Sequence, residues 1–275
     1  MATVANLDQY GLLHVSGEDA RAFLHAQLTN DMESLPPDRA RYAGWCSAKG
    51  RLLATFLVIP IEGGFLLQLA RDLVPAVAKR LSMFVLRSKV KIADASAQWQ
   101  QYGSWQESAA KRLEVRQEPE QISVRIDDQR VLLLKKKAIE ATRSTEDWML
   151  AEVRAGRALI TQATQDQFVP QMVNLELAGG VDFQKGCYPG QEIVARAQYR
   201  GAVKRRLYRL RGAPLKPGQD LYSDQRPDQA TGTVVNAAGD ESLAVLSIDA
   251  AEAKTALHAQ SASTALEILP LSYPQ

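Results

Sequence analysis

The chain has little of what usually carries chemistry: two cysteines, three histidines and 7% aromatic residues among 275. Cys46 and Cys187 are far apart and in different contexts. That excludes a disulfide framework and fits a reducing cytosol, so a cytoplasmic location is expected. So few cysteines and histidines cannot build a self-contained iron–sulfur or cysteine-rich zinc site, and no metal is expected to be held by this chain alone. His14 and His25 lack ligand-like partners at useful spacing and read as structural or surface residues. A net charge of +2 does not by itself announce a nucleic-acid binder. No apolar run approaches the roughly 20 residues that cross a bilayer, and residues 1–8 lack a basic start followed by an apolar stretch, so no membrane partner is expected. There is no Walker-type loop, dinucleotide fingerprint or His-Glu-x-x-His motif, and nothing marks a nucleophile elbow.

What is present is an ordinary globular composition, long enough for a large core in two or three subdomains. Leu12–Val15 reads as a strand, and Ser16 as the cap of a helix in which Ala20, Phe23, Leu24 and Leu28 share one face. Tyr42–Cys46, Arg51–Ile59 and Phe65–Leu69 form an antiparallel meander, Asp72–Leu86 a second helix and Lys89–Ile92 a returning strand. This half is α+β, with helices on a mostly antiparallel sheet. Residues 94–120 read as an irregular connection with one short helix. A hairpin turns around Asp127-Asp128, and a helix runs from Glu146 to Ala155, capped by Ser144 or Thr145 and stopped by Gly156. After Gly201, short apolar runs alternate with Pro and Gly turns, the pattern of a small all-β barrel of about five strands. The expected divisions are 1–95, 96–200 and 201–275.

The most informative stretch is Phe183–Arg196. Gly186 and Pro189-Gly190 read as a tight turn, and Gln191-Glu192 opens a helix whose dipole suits an acidic first turn. Cys187 stands at that helix entrance, two residues from Lys185, and both features favour a thiolate. The alternative is a small buried residue in a turn. Farther on, Arg196, Arg200, Lys204, Arg205, Arg206, Arg209 and Arg211 fall within sixteen residues with no acid among them. Such a run suits a polyanion, or protects a strand edge from aggregation.

Lys185-Gly186-Cys187-Tyr188-Pro189-Gly190-Gln191-Glu192 resembles the K-G-C-[FY]-x-G-Q-E signature of the YgfZ family, and the match continues through Val194-Ala195-Arg196 and Arg200–Arg205. Members of that family are folate-binding proteins linked to iron–sulfur cluster maintenance and tRNA modification. They are similar to the folate-dependent aminomethyltransferase (T-protein) of the glycine cleavage system. The resemblance implies two ferredoxin-like α+β subdomains followed by a small β-barrel, with tetrahydrofolate bound where the three meet. It implies iron–sulfur enzymes or assembly factors as partners, an indirect link to tRNA, and Cys187 as the reactive thiol tuned by Lys185. Aromatic folate contacts of the family match Tyr10, which stands where relatives carry Trp, and Trp148. A flat pterin gains from such faces, although most Trp residues are core.

Tyr188 is a further aromatic candidate. Glu192 either bonds a pterin ring or serves the helix dipole. Arg196, Arg200 and Arg205 are candidates for the glutamate tail of folate or for RNA phosphate. The essential Asp of the aminomethyltransferases has no counterpart near Leu53 and Ala54. The resemblance therefore implies folate binding more strongly than transfer. A folate-dependent aminomethyl or one-carbon transferase and a tRNA-binding module remain the alternatives.

Overall fold

The structure, a computed structural model, describes residues 3–107, 109–199, 201, 203–253, 256–259 and 265–271. Its first half runs β1 (Thr3–Asn6), β2 (Tyr10–Ser16), α1 (Ala20–Gln27), β3 (Arg41–Cys46), β4 (Leu52–Ile61), β5 (Gly64–Ala70), α2 (Val74–Ser82) and β6 (Lys91–Asp94). Five of these strands form an antiparallel sheet in the order β3-β4-β5-β2-β6. β4 is nearly all apolar because both faces of this sheet are covered. Leu52, Ala54, Phe56 and Val58 face one core with α1 and α2 residues such as Phe23, Leu24 and Leu81. Leu57 and Ile59 face a second core shared with Val124, Leu132 and Trp148 from farther along the chain.

That second core lies on a second antiparallel sheet, built from β7 (Gln100–Trp105), β8 (Val115–Glu118), β9 (Gln121–Arg125) and β10 (Arg130–Lys135). Its order is β1-β7-β10-β9-β8, so the chain's opening strand pairs with β7, Thr3 opposite Trp105. The two halves are thereby laced together by the first residues described. α3 (Thr145–Arg154) follows. Ser144 Oγ accepts from the Asp147 amide and Asp147 accepts from the Ser144 amide, a reciprocal cap. Gly156, at φ +65, turns the chain away just past the helix.

The last part runs α4 (Gln191–Tyr199), β11 (Arg205–Arg211), β12 (Asp220–Ser223), β13 (Gly232–Ala238), β14 (Glu241–Ser247), α5 (Ile248–Glu252), β15 (Leu257–Ala259) and β16 (Glu267–Leu269). Its six strands form one antiparallel sheet, ordered β15-β12-β13-β14-β11-β16. The sheet curls into a half-barrel: the Leu266 amide, just ahead of one edge strand, donates to the Leu257 carbonyl on the other edge at 2.8 Å. Leu210, Leu221, Val234 and Leu246 fill its own small core. The protein is thus a mixed α/β structure of antiparallel sheets with a curled C-terminal sheet. Among the described residues, no helix is long and apolar enough to cross a membrane.

Three local expectations need correction. Residues 94–120 hold β7 and β8 rather than a loop with a helix. β7, Gln-Gln-Tyr-Gly-Ser-Trp, lacks an apolar alternation, and its buried Gln101 is satisfied from other segments: it accepts from Gln68 at 2.9 Å and donates to the Tyr10 carbonyl at 2.9 Å. Ser16 does not cap α1. Asp19 holds the cap position, and its carboxylate accepts instead from the Lys89 amide at 2.7 Å. The second helix is shorter than expected, ending at Ser82.

Candidate functional site

α3 carries Trp148 and Glu152 four residues apart, on one face of the helix. That face looks toward β4 and β5 across a cavity. Tyr10, Tyr42, Thr55, Gln68, Trp148 and Glu152 supply its aromatic and polar lining, and Phe56, Leu57, Leu159 and Leu175 much of its apolar wall. Tyr10 and Trp148, distant in sequence, therefore meet in one place. Trp148 is 3% exposed and lies against Gly103, where a Cβ would come within 2.0 Å of the ring. Only glycine leaves room for the indole there. Trp105 meets Trp148 edge-on at 5.6 Å. The Tyr10 hydroxyl lies 4.0 Å from the Met149 sulfur. Burial holds the Tyr10 phenol well above its ordinary range, and nearby Glu152 adds to this; burial and Glu152 do the same at Tyr42.

A band of paired charge closes one side. Glu152 accepts from Arg130 Nη1 at 2.7 Å and from Arg157 Nη2 at 2.8 Å and Nε at 3.0 Å. Asp127 accepts from Arg130 Nε at 2.9 Å and Arg157 Nη2 at 3.1 Å. The Arg130 guanidinium also stands 4.9 Å over the Trp148 ring. Burial raises the Glu152 carboxyl, and Arg130 pulls against that. Arg157, Arg130, Tyr42, Gln68 and Glu152 went unnoticed in the sequence. One signal existed, an acid on the buried face of a helix one turn from a tryptophan.

The cavity wall on β4 is Thr55, Phe56 and Leu57, and no acid occurs anywhere in that strand. Glu152 is the one carboxylate in the lining, and both its oxygens are engaged by arginine.

The signature turn lies elsewhere. Lys185 Nζ donates to the carbonyls of His25 and of Leu28, the latter at 2.9 Å, so it closes the C-terminus of α1. It also stands 4.9 Å over the Tyr188 ring. Burial pushes the Lys185 ammonium down to about 8, while Asp31, Asp182 and Cys187 pull it back up. Gly190, at φ +79, presses on the β3–β4 turn: a Cβ would fall 2.4 Å from the Ser47 carbonyl and 2.6 Å from Gly50 Cα. The turn therefore clamps α1 and the β3–β4 hairpin together. Cys187 is exposed, whereas Cys46 is buried, its thiol pushed up to about 12 by burial and then by Asp166. Tyr188 is buried beside Cys46, and its phenol rises for the same reason. His25 Nδ1 lies 2.9 Å from Asp31 Oδ1.

None of Lys185, Cys187, Tyr188, Glu192, Arg196 or Arg205 lines the Trp148 cavity. Glu192 and Arg196 are exposed and face each other at 3.6 Å along α4. Arg205 is half-buried at the start of β11, and Arg200 lies outside the described residues. Much of the rest of the basic run is committed internally. Arg206 pairs with Glu176, Arg209 Nε lies 2.7 Å from Glu241, and Arg211 lies 3.9 Å from Glu267.

No protein-family model matches the chain. The tRNA-modifying protein YgfZ of Sodalis glossinidius is 30% identical over 98% of this chain and 93% of its own length. That of Vibrio vulnificus is 33% identical, covering 78% of this chain and 72% of the relative. In fold, the chain is similar to the glycine cleavage system aminomethyltransferase T of Bartonella henselae, with a TM-score of 0.74 and 13% identity over 98% of this chain and 85% of the other. With the signature turn in place and this identity along nearly its whole length, the chain belongs to the family of the tRNA-modifying protein YgfZ.

Proposed function

We propose that this chain binds a reduced folate in the Trp148 cavity and thereby supports iron–sulfur enzymes, including one that methylthiolates tRNA. The carrying observation is the cavity itself, where two distant aromatic residues meet beside a prearranged band of charge. Its flat aromatic wall suits a pterin, which gains by stacking. Tyr42 and Gln68 are polar residues of the cavity's lining suited to a ring's hydrogen-bonding edge. Bound tetrahydrofolate supplies a carrier for one-carbon units. The protein's own residues orient it: Trp148 offers the face, and the paired Glu152 and Arg157 hold the entrance rigid. The layout we assign is two ferredoxin-like halves, 1–95 and 96–200, with the barrel at 201–275. Cys187 is the thiol that acts toward the client enzyme. Its place away from the cavity separates ligand binding from thiol chemistry. A cytoplasmic location suits both an exposed free thiol and this client.

Calorimetry with tetrahydrofolate tests the reading. Binding is expected, and Trp148→Ala should weaken it by roughly 1–3 kcal/mol, by analogy with base stacking on aromatics. Unchanged affinity in a folded Trp148→Ala variant would make this residue core alone. The transferase alternative draws on the aminomethyltransferase-like fold. Glu152 would have to be its acid, and turnover of an aminomethyl donor that is lost in Glu152→Gln would establish it. The tRNA-binding alternative loses much of its basis to the internal pairing of the basic run.

A further inference from the structure

Beside the cavity, and sharing Arg157 and Ala178 with it, lies an open depression. Five arginines line it, Arg112, Arg130, Arg143, Arg154 and Arg157, against the three aspartates Asp127, Asp128 and Asp147. Two of those aspartates are already occupied. Asp127 takes Arg130 and Arg157, and Asp147 caps α3 while lying 3.3 Å from Arg143 Nε. Arg130 and Arg157 face inward onto Glu152. The outer cations are different. Arg112 is exposed and, among the described residues, makes no ion pair. Arg143 is 40% exposed, its guanidinium carbon 4.4 Å from the centroid of the Trp105 ring. Arg154 is 54% exposed and anchored on its inner side by Glu241. Three guanidinium groups at the depression thus remain at least partly exposed, Arg143 and Arg154 each anchored on one acid and Arg112 on none among the described residues.

We propose that this depression is a subsite for a poly-γ-glutamyl chain, so that the preferred ligand is a polyglutamylated folate. The inference rests on the folate reading above. A ring held at Trp148 puts its conjugated tail beside Arg157 and Ala178, the residues that the cavity shares with the depression. Each added glutamate carries one more carboxylate, and guanidinium groups bind carboxylates through paired hydrogen bonds. Among its described residues, the run at Arg196–Arg211, which looks more basic in the sequence, lines neither space.

The test is calorimetry of the full chain with the mono-, tri- and pentaglutamate forms of tetrahydrofolate at low and high salt. At low salt the triglutamate should bind at least about tenfold more tightly than the monoglutamate, and added salt should shrink that ratio. Arg112→Gln with Arg143→Gln should bring the ratio near one and leave monoglutamate affinity within about twofold. Arg112→Glu alone, at an exposed position, should lower the ratio if the double variant folds poorly. Arg196→Gln should leave it unchanged. Equal affinities for all lengths at low salt overturn the subsite and leave the folate reading standing. A length preference lost in Arg196→Gln but kept in the Arg112 variants overturns it in favour of the basic run. Absence of binding by any form overturns both readings.

Discussion

At the Trp148 cavity, Glu152, Arg130 and Arg157 are buried and paired. At the signature turn, the Cys187 thiol and the Glu192 carboxylate face solvent. Of the cavity's lining only Tyr10 and Trp148 attract notice in the sequence, and its charged band attracts none. The turn is the most conspicuous stretch of the sequence, yet Lys185 and Gly190 serve there as structural clamps. The difference teaches that a conspicuous motif can be mostly scaffold around one exposed residue, while a cavity is assembled from ordinary residues brought together by packing.

That contrast can be broken by substitution. The largest expected effect is at Glu152. Glu152→Ala leaves Arg130 and Arg157 buried with half their compensation removed, and breaking a buried pair in this way costs about 3–5 kcal/mol. Urea unfolding measures it, and a loss under about 1 kcal/mol would show that the band is not holding the cavity. Next is Gly103→Ala. The added methyl would collide with the Trp148 ring, and overpacking of this kind costs about 1–3 kcal/mol. Tetrahydrofolate affinity should fall with it as the indole shifts. Retained affinity with lowered stability would separate the ring from the ligand.

A smaller effect is expected beside the signature turn, at Asp31. Burial raises this carboxyl, but hydrogen bonds from Ser34 and Glu33 and the nearby His25 outweigh it and hold it at about 2, against an ordinary 3.8. A carboxyl depressed on folding adds stability that is fully present above its unfolded value and lost as pH falls through its folded value. The stability gap between the wild type and Asp31→Asn should therefore be constant above about pH 5 and close on acidification toward pH 2. A gap of the same size at pH 2 and pH 6 contradicts the assignment. The smallest stability effect belongs to Cys187→Ser, within about 0.5 kcal/mol at an exposed position. Folate affinity should be unchanged, and support of iron–sulfur enzymes in cells lacking the native protein should be lost. Full complementation would leave the signature as a clamp only.

Much of the local structure was legible. Ser144 as the α3 cap and Gly156 as its stop follow from rules that act over a few residues, and both are where those rules put them. So does the turn at Gly190. β7 was not legible, because its Gln101 and Gly103 make sense only against Gln68 and Trp148. The meeting of Tyr10 and Trp148 was implied by family resemblance, not by spacing.

By itself the sequence determined helix ends, turns, the apolar strands of the first sheet and the signature that names the family, since each depends on neighbours within a few residues. Only the tertiary structure decided where charge is available. Arg196–Arg211 contains no acid, yet Glu176, Glu241 and Glu267 reach three of its arginines from other segments. Arg112 and Arg143, unremarkable in the sequence, stand instead at the rim of a cavity. The physical reason is that an ion pair's strength depends on separation and on the surrounding dielectric. Folding sets both, and distance along the chain sets neither.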